Sequence, residues 1–182
     1  RRGLLGRRCI HFDFGANLRR LAAAPGDEGF LTADDRESIR LSLASGALFE
    51  DRDMPMIVRI LRAFAEARAV RPGTLLVLNG LPRHVGQAAG LAEIVSVERI
   101  VLLEAEAPVI LERIRSDTGG DRAGRNDDTL EAVRKRLSDY RARTRPLLDY
   151  YSALAVPVRT VRVTAAATAL EMYGLLTAEK PA

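Results

Sequence analysis

Four arginines from separate segments, Arg19, Arg83, Arg125 and Arg136, could converge on one multiply charged anion, and phosphate is the natural candidate. A guanidinium presents a planar fork of donors suited to phosphate oxygens, and its charge does not titrate. The neighbouring residues are of types that ligand-facing loops use. Arg19 follows Asp13-Phe14-Gly15. Arg83 closes the run Asn79-Gly80-Leu81-Pro82-Arg83, where Gly80 permits close backbone approach and Pro82 fixes a turn; Gln87 comes four residues later. Arg125 leaves a polar, glycine-rich stretch running from Asp117 to Asn126, and Arg136 lies three helical turns further on.

Other chemistries are poorly supplied. Cys9 is the single cysteine, which excludes an internal disulfide and a cysteine-rich zinc site. The two histidines, His11 and His84, have no partner at a spacing that suggests a metal ligand or a catalytic base. Asp127-Asp128 read as a helix cap, and Glu104 and Glu106 as a solvated strand end.

The elements that must position the arginines follow from the apolar pattern. Leu75-Leu76-Val77-Leu78, Ile100-Val101-Leu102-Leu103 and Val158 to Val163 are short apolar runs of the kind found in parallel strands, and Cys9 to Phe12 is a fourth. Helical patterns separate them, over roughly 16–24, 34–44, 54–69, 84–92, 107–116, 127–154 and 165–176. This alternation predicts an α/β fold, a three-layer parallel sheet with helices on both faces. In open parallel sheets ligands bind beyond the carboxyl ends of the strands, where Arg19 and Arg83 fall.

The chain has 182 residues, of which 47% are hydrophobic and 29% charged. This suits a single globular domain over 1–182. No apolar run approaches the roughly 20 residues that span a bilayer, and no signal peptide opens the sequence. Of 28 basic residues only Lys135 and Lys180 are lysines, a bias that genome composition or phosphate recognition can produce. The net charge of +4 is modest, and the arginines form no continuous basic stripe with interleaved aromatics, so nucleic acid is not the expected partner.

In order and spacing, several segments resemble the adenylate kinases. Asn79-Gly80-Leu81-Pro82-Arg83 and Gln87 resemble that family's Asp-Gly-aromatic-Pro-Arg…Gln segment. Phe14-Gly15-Ala16-Asn17-Leu18-Arg19 resembles Thr-Gly-Asp-x-Leu-Arg, and Ser45-Gly46-Ala47-Leu48-Phe49 resembles Ala-Gly-x-Leu-Val. Gly124-Arg125-Asn126-Asp127-Asp128, then Val133 to Leu137, Tyr140, Pro146-Leu147 and Tyr150-Tyr151, follow the family's lid exit and long helix. The resemblance spans about residues 9 to 176 and identifies a nucleoside monophosphate kinase similar to adenylate kinase, on a P-loop-type fold.

The resemblance implies roles. Arg19 and Arg83 would hold the phosphate of AMP. Gln87 and the backbone at Gly80 would read the base, with Phe14, Ala47, Leu48 and Phe49 around it, in a monophosphate-binding part at about 15–70. Arg113, with Arg115 nearby, would pack on the ATP base. Arg125 and Arg136 would close over the transferring phosphoryl group from a short lid at about 116–127. ATP and Mg2+ would be required, and the enzyme would be cytoplasmic and monomeric.

The departures are equally specific. No Gly-x-x-x-x-Gly-Lys-[Ser/Thr] loop occurs in the sequence, which opens Arg1-Arg2-Gly3. Residues 1–8 align with the helix that follows that loop, so the expectation is a chain beginning just beyond it, without its central strand. Asn79 replaces the aspartate that usually helps hold Mg2+, leaving it at most a contact through water. Phe14 stands where threonine is usual. Asp117 falls at the second lid arginine, a role left to Arg115 or Arg122. The alternatives are a CMP/UMP or other small-molecule kinase, or an inactive nucleotide-binding module.

Overall fold

The computed structural model describes residues 4, 6–24, 29–117 and 130–178. The chain divides into two compact units, residues 1–96 and 97–182.

In the first unit, β1 (Cys9–Asp13) pairs in parallel with β2 (Leu75–Asn79), in a register running from Cys9↔Leu75 to Asp13↔Asn79. Each strand therefore delivers its last residue to the same edge. The chain turns from β1 directly into α1 (Phe14–Ala23), because Asp13 caps that helix: its Oδ1 accepts from the Ala16 amide at 2.8 Å. Thr32 and Asp35 form a reciprocal capping box at the start of α2 (Ala33–Ser45), and Gly46 closes that helix in the left-handed conformation at φ +66°. A short 3-10 turn, Asp51–Asp53, leads into α3 (Met54–Ala67). Helix α4 (Val85–Leu91) follows β2.

The apolar positions of these elements meet in one core. Phe12 and Ile57 are wholly buried, with Leu18, Leu21, Ile39, Ile60 and Leu61 around them. The Phe12 ring meets Phe64 edge-on at 4.8 Å and stacks with Phe14 at 6.1 Å. Fully burying side chains of this size stabilises by about 1.5–3 kcal/mol each. This core fixes the strand ends that carry the site.

In the second unit, β3 (Ile100–Glu104) pairs in parallel with β4 (Val158–Arg162), from Ile100↔Val158 to Glu104↔Arg162. Around them lie α5 (Ala107–Arg115), α6 (Leu130–Asp139), α7 (Pro146–Ala153) and α8 (Ala169–Thr177). Among its described residues, Val133, Leu147, Tyr151, Val161 and Ala167 are buried and apolar.

The expected parallel strands are present, as two two-stranded sheets; among the described residues no ladder joins β2 to β3. Two expectations are corrected. Residues 4 and 6–8 form a turn, where a helix was expected: Leu4 and Arg7 exchange backbone hydrogen bonds across Gly6, at φ +68°. The expected long helix at 127–154 is interrupted by a π-helical stretch, Tyr140–Thr144, in which Arg145 N donates to Tyr140 O at 2.8 Å. Pro146 explains the break, since it lacks an amide and its ring crowds the carbonyl four residues back.

Candidate functional site

The carboxyl ends of β1 and β2 bring most of the expected monophosphate-site residues together within the first unit. Asn79 Nδ2 donates to Asp13 Oδ2 at 3.1 Å, tying the two strand ends. Gly80 follows at φ +78°, a conformation that favours glycine, and a Cβ there would sit 3.6 Å from the Phe14 Cβ. Arg19 is exposed one turn along α1, and its Nη1 lies 3.4 Å from where a Cβ on Gly15 would stand. The guanidinium thus folds back over the start of the helix, beside Asp13. The Leu81–Pro82 bond is cis, and Arg83 comes next, half-buried.

The segment 45–50 forms the facing wall. Ser42 Oγ donates to the Ala47 carbonyl at 2.8 Å, and the Ala47 amide donates to Ser45 Oγ at 3.2 Å. Ala47 is exposed, Leu48 half-buried and Phe49 buried, its ring edge-on to Phe14 at 5.8 Å. Phe14 and Phe49 therefore make an apolar flank beside Gly80.

Gln87 is placed differently from a residue that offers its amide to a ligand. It is 1% exposed; Oε1 accepts from the Arg83 amide at 2.7 Å, and Nε2 donates to the Phe49 carbonyl at 3.0 Å. Reading a base would require the amide to exchange one of these partners. In this conformation it braces Arg83 and Phe49 against each other. His84, absent from the expected site residues, is the second brace. It caps α4, with Nδ1 accepting from the Gln87 amide at 3.3 Å, and its Nε2 lies 3.0 Å from the same Phe49 carbonyl. Its position three residues before Gln87 is the N-cap spacing, the one signal by which it could have been found.

In the second unit, Arg113 Nη1 donates to three carbonyls, those of Thr164, Ala165 and Ala167, at 2.8–3.1 Å. This latch fixes the loop after β4 to α5. Arg115 pairs with Glu112 at 2.8 Å on the exposed side of α5. Arg136 is half-buried on α6. Arg125, Arg122 and most of the expected lid, 118–127, lie outside the described residues.

Among the described residues no group of three or more histidine, cysteine, aspartate or glutamate side chains is placed to hold a metal, and no helix is long and apolar enough to cross a membrane. What the strand ends do present is one carboxylate, one amide and two arginines around a glycine turn. That set lies at the strand ends of an α/β protein, the edge at which open parallel sheets bind ligands. No family model matches the chain. It is 32% identical over 155 residues to an adenylate kinase of Prochlorococcus marinus, covering 82% of this chain and 73% of that one. It is 44% identical over 81 residues to adenylate kinase 1 of Nostoc sp., and 40% identical over 82 residues to an adenylate kinase of Synechococcus sp.. These shorter matches span 41% and 42% of those relatives' lengths. The chain belongs to the adenylate kinase family.

Proposed function

We propose that this protein is a nucleoside monophosphate kinase that transfers the γ-phosphoryl group of ATP to AMP. The observation that carries the reading is the joint placement of Arg19, Arg83, Gly80 and the Phe14–Phe49 flank at the ends of β1 and β2, in a chain matched to an adenylate kinase over most of its length.

In this reading Arg19 and Arg83 hold the monophosphate. Phe14, Ala47, Leu48 and Phe49 line the base pocket, and the backbone at Gly80 sets its polar edge, joined by Gln87 once its amide exchanges one of its two partners. Arg113 and Arg115 serve the ATP base; Arg113 keeps its loop latch and offers the flat guanidinium face. Arg125 and Arg136 neutralise the negative charge on the transferring group, which is most of what phosphoryl transfer asks of a protein. Closure of the short lid at about 116–127 excludes water, which would otherwise take the phosphoryl group. The fold of the kinase would be the three-layer P-loop type, acting as a cytoplasmic monomer.

Mg2+ takes oxygen ligands, keeps several waters and leans on substrate phosphates. Asn79 and Asp13 supply oxygens of that type at the strand ends, a thin set that suits support through water. When bound there, the ion would supply positive charge against the phosphates.

The test is a coupled assay of ADP formation from ATP and AMP, with CMP and UMP as alternative acceptors. Turnover with AMP in preference to CMP and UMP supports the proposal; preference for a pyrimidine overturns the specificity. A second reading, a nucleotide-binding module without catalysis, is favoured by one observation: Asn79, an uncharged amide, stands where the family's aspartate helps hold Mg2+. It predicts AMP binding without turnover in the full-length natural protein.

A further inference from the structure

We infer that His84 is a positioning residue for the base pocket, fixing the 47–50 segment through the Phe49 carbonyl while the phosphate contacts are held separately. The inference rests on the monophosphate-site reading and assigns a role to a residue outside that site's expected contacts.

The protonation pattern follows from the partners. His84 Nδ1 faces the Gln87 amide at 3.3 Å, and an amide N–H can only donate, so Nδ1 is the unprotonated nitrogen. The proton of the neutral ring therefore sits on Nε2, which donates to the Phe49 carbonyl at 3.0 Å. One ring thus performs two tasks on two elements: it caps α4 and anchors the segment leading into the 3-10 turn. The site is built for it. His84 is 8% exposed, and Phe49 O takes its second hydrogen bond from Gln87 Nε2, so both lone pairs are engaged. Asp51 Oδ1 lies 3.6 Å from Nδ1, on the exposed side.

Phe49 then transmits the placement. Its carbonyl is fixed by His84 and Gln87, its ring meets Phe14 at 5.8 Å, and the Phe14 Cβ stands 3.6 Å from the Cβ position at Gly80. Loosening Phe49 frees the apolar flank of the pocket. Arg83 is less affected, because its amide is held by Gln87 Oε1 at 2.7 Å. Shorter capping residues at position 84 would keep the helix cap and lose the reach to Phe49, which makes the two tasks separable.

His84→Asn tests this. An asparagine oxygen can accept from the Gln87 amide, as N-caps do, but the side chain is too short to reach Phe49 O. AMP and inorganic phosphate are titrated against wild type and H84N, with hydrogen exchange of the 47–50 amides followed without ligand. The expected result is a roughly tenfold weaker AMP affinity, phosphate affinity changed less than about twofold, and faster exchange at 47–50. Unchanged AMP affinity, or AMP and phosphate weakening together, overturns the positioning role and leaves the kinase reading standing. Wild-type protein that binds neither AMP nor phosphate overturns both. Should H84N fail to fold, imidazole nitrogen shifts in wild type decide: a proton on Nε2 supports the inference, and a neutral ring with its proton on Nδ1 overturns it.

Discussion

Asn79 and Asp13 are the last register pair of the first sheet, and Asn79 Nδ2 donates to Asp13 Oδ2 at 3.1 Å. The bond requires an amide at position 79, since a carboxylate there has no proton to give at neutral pH. Asn79→Asp would place two like charges at the strand ends. The variant is expected to lose about 1 kcal/mol of stability in metal-free buffer, and to gain more than wild type in melting temperature on adding Mg2+. Differential scanning fluorimetry with and without Mg2+ checks this. Identical Mg2+ responses would show that the strand ends do not attract the ion.

A second prediction concerns the tie between α2 and α3. Arg59 donates to Asp35 Oδ2 at 2.5 Å through Nη2 and to the Phe30 carbonyl at 3.0 Å through Nε. Burial pushes the Asp35 carboxyl up, but hydrogen bonds from the Thr32 amide, Arg59 and the Thr32 hydroxyl outweigh it and leave the group below its ordinary value. A depressed carboxylate contributes stability that is present above its unfolded value, about 3.9, and is lost as pH falls through the folded value. Arg59→Met should therefore cost about 1 kcal/mol at neutral pH, a modest figure because the Arg59 side chain is 38% exposed. The gap between variant and wild type should narrow below about pH 4 in urea melts. A gap independent of pH would remove Asp35 from the explanation.

Gln87 supplies the third. Gln87→Leu keeps the volume and strands two groups, the Arg83 amide and half of the Phe49 carbonyl's acceptor capacity. Leaving buried polar groups unpaired costs about 1–3 kcal/mol each, so a loss of about 2–4 kcal/mol is expected in chemical denaturation. Gln87→Glu keeps the acceptor for Arg83 but sets a buried carboxylate oxygen against the Phe49 carbonyl oxygen, and should lose at least as much. A loss below about 1 kcal/mol in Gln87→Leu would mean that these two bonds contribute little.

Much of this was legible in the sequence, and the exceptions have physical causes. The four strands appear as apolar runs bounded by turn residues, and the observed spans, such as Leu75–Asn79 and Ile100–Glu104, differ from the expected ones by a residue or so. The helix at 54–69 ends at Ala67, and Thr32 caps α2 as its spacing with the following acids implies. The long helix was misread because its apolar pattern runs through Tyr140–Thr144, and only Pro146 marks the place where the hydrogen-bond ladder must shift. Which strand pairs with which was not visible, because an apolar run states that a strand is buried without naming its neighbour.

Within the site, an arginine at a strand end is more often a solvated surface residue than a ligand, and it was the order and spacing of the segments that singled out Arg19, Arg83 and Gly80. Order and spacing could not show that Gln87 turns inward. An amide suits a base edge and a buried brace equally, and only the positions of the Arg83 amide and the Phe49 carbonyl separate the two. His84 was passed over for a similar reason: its partners are backbone groups, which leave no trace in residue types.

The central claim, that the ends of β1 and β2 bind a nucleoside monophosphate through Arg19 and Arg83, is tested most directly by isothermal titration of AMP into wild type, Arg19→Ala and Arg83→Ala, each shown folded by circular dichroism. Losing a charge-assisted contact to phosphate is expected to weaken AMP binding at least roughly tenfold in each variant. Wild-type protein that fails to bind AMP, or binding indifferent to both substitutions, would contradict it.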